Sequence, residues 1–155
     1  MNRSLALAAL AVALPLAAHA DAALDRYIAA STAQAEMMQG FLVSRVPDLA
    51  DVLPPTEWGE EEIAVAQCTL DGIRDARGEA GVEDYLVALE TVAAQPITSF
   101  ASIGTNLPEV LSDDLAMELA QGCGGMELAM RQMQESGLME KLQDPAIMQA
   151  LMAME

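Results

Sequence analysis

A core for this chain has to be built almost without aromatic side chains. Phe, Trp and Tyr make up 3% of its 155 residues, whereas apolar residues as a whole make up 53%. The remaining apolar side chains belong to Leu, Ala, Val, Ile and Met, a set that favours helices over strands. The length suits one domain. We therefore expect an all-α protein, a small disulfide-stapled bundle of about five helices.

Proline, glycine and capping residues mark the ends of the predicted helices. Gly78 and Gly137 are expected helix stops, and Ser112 is an expected N-cap. Asp144-Pro145 combines a cap with proline at the first helical position. The predicted helices cover about 22–45, 57–77, 82–94, 113–135 and 145–154, with a short helical piece at 138–142.

The first twenty residues have the parts of a cleavable secretory signal in the expected order. An arginine provides the positive charge, and the Leu/Ala/Val run at 5–16 is too short to cross a bilayer. An Ala-His-Ala sequence then precedes the predicted cleavage between Ala20 and Asp21. We expect a mature single domain at 21–155, in the periplasm or secreted, with no stable membrane anchor after cleavage.

The mature chain predicted in this way is strongly acidic. The signal contains one of the 7 basic residues and none of the 24 acidic ones, so the net charge becomes −18 (6 − 24). Nucleic acid and anionic lipid are bound through basic patches, and we expect neither as a partner. The acidity fits either high solubility in an exported setting or a cationic partner.

The only histidine of the chain is His19, inside the predicted signal. A mature protein without histidine lacks Ser-His and Cys-His catalytic arrangements, most zinc and copper(II) sites, and a histidine pH switch. No nucleotide-binding glycine pattern or calcium loop stands out, and the many carboxylates single out no catalytic pair. The sequence therefore favours a non-enzymatic protein without a cofactor.

The chain has two cysteines, Cys68 in the second predicted helix and Cys123 in the fourth. Such a pair in an exported chain most often forms a disulfide. We interpret the small residues around them as room for a close helix approach; these are Ala64 and Gly72 beside the first, and Ala116, Ala120, Gly122, Gly124 and Gly125 beside the second. The alternative is a reactive thiol at Cys123, although no basic group nearby in sequence would stabilise a thiolate.

Eight of the eleven methionines lie between residues 117 and 154. Met126, Met130 and Met133 continue a helical stripe that begins at Leu119 and Cys123. Because Cys123 is expected to face the core, we expect these methionines to pack there too. The alternative is a copper(I) site, since thioether sulfur is a soft ligand that selects this ion.

The C-terminal helices, at 138–155, form an amphipathic pair interrupted at Asp144-Pro145. Their apolar residues define a possible groove, because methionine surfaces adapt to varied partners; the groove residues are Met139, Leu142, Met148, Leu151 and Met152. The Asp-Pro-x-x-Met-x-x-Leu-Met pattern at 144–152 resembles the Asp-Pro repeats of co-chaperones, over fewer than twenty residues. The resemblance implies a groove for apolar client segments.

These features predict an exported helical binding or interaction module, with a cationic or apolar partner, rather than an enzyme. One alternative is a methionine-based copper(I)-handling protein. The other is a holdase or inhibitor that grips apolar segments with its C-terminal helices.

Overall fold

The computed structural model describes residues 15–99 and 107–153, and these residues contain helices and turns but no β-strand. Six α-helices follow one another in these ranges, which confirms the all-α fold. They are α1 (Pro15–Arg45), α2 (Glu60–Ala93), α3 (Asp114–Gly122), α4 (Gly125–Glu135), α5 (Leu138–Lys141) and α6 (Pro145–Met152). Single turns of 3-10 helix lie at Pro47–Leu49 and Glu109–Leu111.

The two long helices, α1 and α2, form the main body of the protein. Leu70, Ile73 and Leu86 of α2 are at most 2% exposed and share a cluster with Ala23 of α1. A second cluster farther along the same pair includes Ala30 of α1. The small alanines of α1 thus lie at its contacts with the large aliphatic side chains of α2.

Gly78 divides α2 into two helical parts. Its φ of 71° and ψ of −174° are not helical, so one helix ends here and a second one follows. This backbone conformation is open essentially to glycine alone. The predicted helix stop at Gly78 is therefore confirmed, and α2 comprises two helices that meet at this residue.

Side-chain caps begin two of the later helices. Asp144 caps α6 as predicted and accepts from the Ala146 N–H at 2.8 Å. At α3 the cap is Asp113 rather than Ser112, one residue later than predicted, and it accepts from the Ala116 N–H at 2.9 Å. The carboxylate is also the stronger acceptor toward a helix N-terminus.

An arginine fork ties α1 to α2. Arg26 bonds Glu83 at 2.6 Å through Nη1 and Glu90 at 2.7 Å through Nε. The hydrogen bond from Arg26 lowers the pKa of Glu90 below its usual value. Because the side chains are more than a third exposed, solvent screens this network and we expect it to add little stability.

Three of the five aromatic residues gather where Tyr27 of α1 meets Trp58, just before α2, and Tyr85 in the later part of α2. Tyr27 stacks on Tyr85 at 6.3 Å between ring centroids and meets Trp58 edge-on at 6.0 Å. The Trp58 indole donates to the Thr32 hydroxyl at 2.8 Å. Burial raises the pKa of both tyrosines. This cluster has no local sequence signature, because its members are distant in the chain.

The predicted signal lies mostly outside the described residues, since residues 1–14 are not among them. Ala20 and Asp21 lie within α1, which begins at Pro15. Cleavage between them stays a prediction, and it would leave the buried Ala23 near the start of the mature chain. Of the helices described, none combines the length and the apolar character that crossing a membrane requires.

Candidate functional site

Cys68 and Cys123 form the predicted disulfide, which joins α2 to the end of α3. Their Cα atoms lie 5.7 Å apart. Cys123 is the residue that ends α3, and its N–H donates to the Leu119 carbonyl at 2.9 Å. Cys68 is exposed and Cys123 is half-buried, so the bond lies at the surface. The predicted pairing is confirmed.

The main effect of the glycines beside Cys123 is a turn between α3 and α4, rather than a close approach of two helices. Gly124 has a φ of 78°, in the left-handed region, and it separates α3 from α4. A Cβ on Gly122 or Gly124 would meet nothing within 4 Å. Only Gly125 is close to α2, where a Cβ would lie 3.4 Å from the Val65 side chain. The predicted continuous helix at 113–135 is therefore two helices.

Close approach does occur one turn away, at Gly72 of α2. A Cβ there would lie 2.3 Å from a methyl carbon of Leu119, a distance that real contacts do not reach. Leu119 uses this space to pack against the main-body cluster. The small residue at 72 therefore admits a leucine of α3, rather than one of the small residues expected there.

The inner side of α4 attaches to the first turn of α2. Leu128 is 8% exposed on this side. Gln132 Nε2 donates to Glu62 Oε1 at 2.7 Å, and Arg131 forms an ion pair with Glu61. The hydrogen bond to Glu61 raises the pKa of Arg131 above its usual value. One leucine and two polar contacts thus orient α4 on the body.

Met126 and Met130 project from the opposite side of α4, and we call this pair the methionine face. They are 54% and 50% exposed. With 3.6 residues per turn, they lie about 160° and about 200° around the helix from Leu128. Met133 lies on the same side but is half-buried. The predicted packing of Met126 and Met130 in the core is wrong.

The helix break at Gly124 explains this outcome. The predicted stripe ran from Leu119 through Cys123 on one uninterrupted helix, so that one side would face the core throughout. Because the backbone leaves the helical conformation at Gly124, positions after the break no longer continue that stripe. Leu128 takes the inner side of α4, and the methionines turn outward.

The surroundings of the methionine face are acidic. Residues 113–135 contain five acidic residues and a single basic one, Arg131, which is paired with Glu61. Glu118 of α3 and Glu127 of α4 are exposed. Met117, also on α3, is 54% exposed. The outer side of α3 and α4 therefore combines exposed thioethers with negative charge.

Two shallow depressions flank the contact between α2 and α4, with volumes of about 350 and 440 Å³. They share Glu61, Leu128 and Arg131 as lining residues. The first also borders Cys123 at the disulfide. Neither is lined by Met126 or Met130, so the methionine face is a surface rather than the wall of either depression.

The C-terminal helices close over the segment that follows α1. Ile147 and Leu151 of α6 form a cluster with Val46 and Leu49, and all four are at most 5% exposed. Partly buried apolar side chains from three segments complete the cluster; these include Phe41, Leu42, Val52, Leu53, Leu138 and Leu142. The tail therefore covers part of the fold.

The structure describes the surroundings of four of the five residues predicted to line an apolar groove, and these four differ in burial. Leu151 is buried and Leu142 packs beside it, whereas Met139 and Met148 are 37% and 42% exposed. Met152 is the last residue of α6. The apolar side of the helix pair is occupied by the chain itself, because the turn after α1 carries Leu49 beneath α6.

In residues 15–99 and 107–153, the His, Cys, Asp and Glu side chains form no group of three or more that could hold a metal ion. The copper(I) candidates predicted on α4 are Met126, Met130 and Met133, of which Met126 and Met130 are exposed. These soft thioether ligands lie one helical turn apart.

Comparison with known proteins assigns no relative to this chain: no family model matches it, and neither does any curated protein or solved structure. The fold and the site together define a disulfide-stapled all-α protein with an exposed methionine face.

Proposed function

We propose that this protein is an exported, non-enzymatic binding module, and that its methionine face binds a cationic amphipathic segment of a partner protein. The exposure of Met126 and Met130 carries this proposal, because the other side of α4 makes the contacts with the fold. Thioether side chains are polarizable and adaptable, and they suit a surface that packs against apolar groups of varied shape.

The negative charge around the methionine face favours a positively charged partner. Exposed carboxylates such as Glu118 and Glu127 lie on α3 and α4, and the nearby Arg131 is already paired with Glu61. Lysine or arginine side chains flanking apolar ones would complement this surface, and they would speed association at low salt. An anionic segment would be repelled.

The export part of the proposal rests on the first twenty residues of the sequence. The disulfide agrees with it, since such bonds persist in oxidising compartments. It also supports a binding role, because the staple holds α3 and thereby the start of α4 in place before a partner arrives, which lowers the cost of ordering the surface.

Calorimetric titration of the oxidised, disulfide-bonded protein tests the proposal. The probe is an amphipathic helical peptide of leucine and lysine, and the matched control peptide has each lysine replaced by glutamate. We expect the lysine peptide to bind and the glutamate peptide not to bind. Added salt should weaken the binding, because the attraction acts between exposed charges.

Substitution of the methionine face identifies the surface. Met126→Gln/Met130→Gln should weaken binding of the lysine peptide at least about tenfold, since two apolar contacts are lost. The matched control is Val87→Gln, because Val87 is 48% exposed and belongs to α2 rather than to the methionine face. Equal affinities of the double variant and the native protein would contradict the proposal.

A second candidate function is copper(I) handling, favoured by two exposed thioethers one turn apart in a chain whose only histidine lies in the predicted signal. Met126→Leu/Met130→Leu separates the two functions, because leucine keeps the apolar surface and removes the sulfur. If copper(I) is the ligand, competition with bicinchoninate should show sub-micromolar binding that this variant loses. If a peptide segment is the ligand, the leucine variant should keep its affinity for the lysine peptide.

A further inference from the structure

The side chains of the methionine face are exposed to solvent, so oxidants can reach their sulfur atoms. We propose that Met126 and Met130 are modification sites, at which a hydroperoxide forms methionine sulfoxide and thereby switches off partner binding without unfolding the protein. The binding consequence rests on the proposed function, whereas the selectivity and the preserved fold rest on the structure alone.

The reaction is an oxygen transfer. The thioether sulfur attacks one oxygen of the hydroperoxide, the O–O bond breaks and an S–O bond forms. The sulfur loses two electrons, and the departing oxygen takes up the proton and leaves as water or an alcohol. The product is polar and chiral, and thiol-dependent sulfoxide reductases reverse it.

No cysteine thiol competes for the oxidant. The two cysteines of the chain are joined in the disulfide. A thiolate would otherwise be the first sulfur to react. With the thiols absent, we expect the exposed thioethers of the described residues to react with the oxidant.

Exposure distinguishes the methionines from one another. Met126 and Met130 are 54% and 50% exposed, whereas Met37 and Met38 of α1 and Met133 of α4 are half-buried. We therefore expect faster oxidation at the methionine face than at these three. Met117 is also 54% exposed and should react alongside it, but this residue lies on α3, outside the methionine face.

The position of the methionine face separates binding from stability. A sulfoxide buried in a core would place an unpaired polar group among apolar side chains and would destabilise the fold. On the outer side of α4 the sulfoxide oxygen stays in water. Leu128, Gln132 and Arg131 continue to hold the helix on α2. Only the apolar contact with a partner changes.

A hydrogen peroxide time course on the oxidised, disulfide-bonded protein tests this proposal. Peptide mass spectrometry should find oxygen gained several-fold faster at Met126 and Met130 than at Met37 and Met133. The circular dichroism spectrum and the urea midpoint of the treated protein should match those of the untreated protein. Equal rates at all sites, or unfolding of the treated protein, would overturn the modification site.

The binding consequence is tested with the lysine peptide. Peroxide treatment should weaken binding to native protein about tenfold, and it should leave Met126→Leu/Met130→Leu unaffected. Met117→Leu is the matched control, because it should stay as sensitive to peroxide as the native chain. Equal sensitivity of the leucine double variant would overturn the switch. If untreated protein does not bind the peptide, the proposed function and the switch fail together, and the oxidation rates still decide the modification site.

Discussion

The α1–α2 body and the α3–α4 unit use their apolar residues in different ways. In the body, large aliphatic side chains such as Ile73 and Leu86 are buried between two long helices. In the α3–α4 unit Leu119 and Leu128 face α2, whereas Met117, Met126 and Met130 turn to solvent. The difference shows that leucine in this unit supports the fold, and that methionine is available for another purpose.

Removal of the disulfide is the change expected to affect this comparison most. Cys68→Ser/Cys123→Ser opens a loop of sequence separation 55. The chain-entropy model then predicts a loss of roughly 4 kcal/mol in the free energy of unfolding. Urea denaturation measures this loss, and hydrogen exchange should show α3 and α4 losing protection more than α1. Equal loss of hydrogen-exchange protection in α3–α4 and in α1 would contradict the expectation that the disulfide stabilises α3 and α4 more than α1.

Truncation of the body core comes next. Leu86→Ala should lower the free energy of unfolding by about 3 kcal/mol, because Leu86 is 1% exposed and its removal leaves a cavity. Val87→Ala is the control on the same helix, since Val87 is 48% exposed and should change stability by less than about 0.5 kcal/mol. Comparable losses from both variants in urea would contradict the burial described for α2.

The turn between α3 and α4 allows a glycine comparison. Gly124→Ala should cost about 1–2 kcal/mol, because its φ of 78° is unfavourable for a residue with a Cβ. Gly122→Ala should be neutral or stabilising, since this glycine is helical with open space around it. Thermal unfolding of the two variants measures the difference, and the reverse order would show that α3 and α4 are one continuous helix.

The smallest expected effect concerns pH. The hydrogen bonds that Asp113 accepts from the Ala116 N–H and from the Arg77 guanidinium lower the pKa of its carboxyl below the usual 3.8. Because the folded pKa is below the unfolded one, the stability that the charge contributes is complete above pH 3.8. It is lost as the pH falls through the folded value. The stability difference between native protein and Asp113→Asn should therefore shrink when urea denaturation is repeated at falling pH. A difference that grows toward low pH would contradict the capping contact.

Local signals predicted much of this fold. Asp144-Pro145 marked the start of α6, Gly78 marked the kink in α2, and the two cysteines predicted their own pairing. Each of these features acts through its own backbone or through a covalent bond, so a short stretch of sequence contains the information. The contacts of Arg26 and Tyr27 with α2 join distant residues, and no local pattern indicated them.

The orientation of the methionines could not be predicted, because it depends on the conformation of one residue. Gly124 was interpreted as room for a neighbouring helix, and helical spacing then placed Met126 and Met130 on the side of Cys123. A glycine that allows close approach and a glycine that adopts a left-handed φ look the same in a sequence. Sequence spacing likewise did not show that Val46 and Leu49 pack against Ile147 and Leu151 of α6.

The two sides of α4 provide the most direct test of this account. Urea denaturation of Met126→Gln/Met130→Gln should give a free energy of unfolding within about 0.5 kcal/mol of the native value, because both side chains face solvent. Leu128→Ala, on the inner side, should lose about 2–3 kcal/mol. A large loss from the methionine double variant, with little change from Leu128→Ala, would show that the methionines pack in the core and would contradict the account.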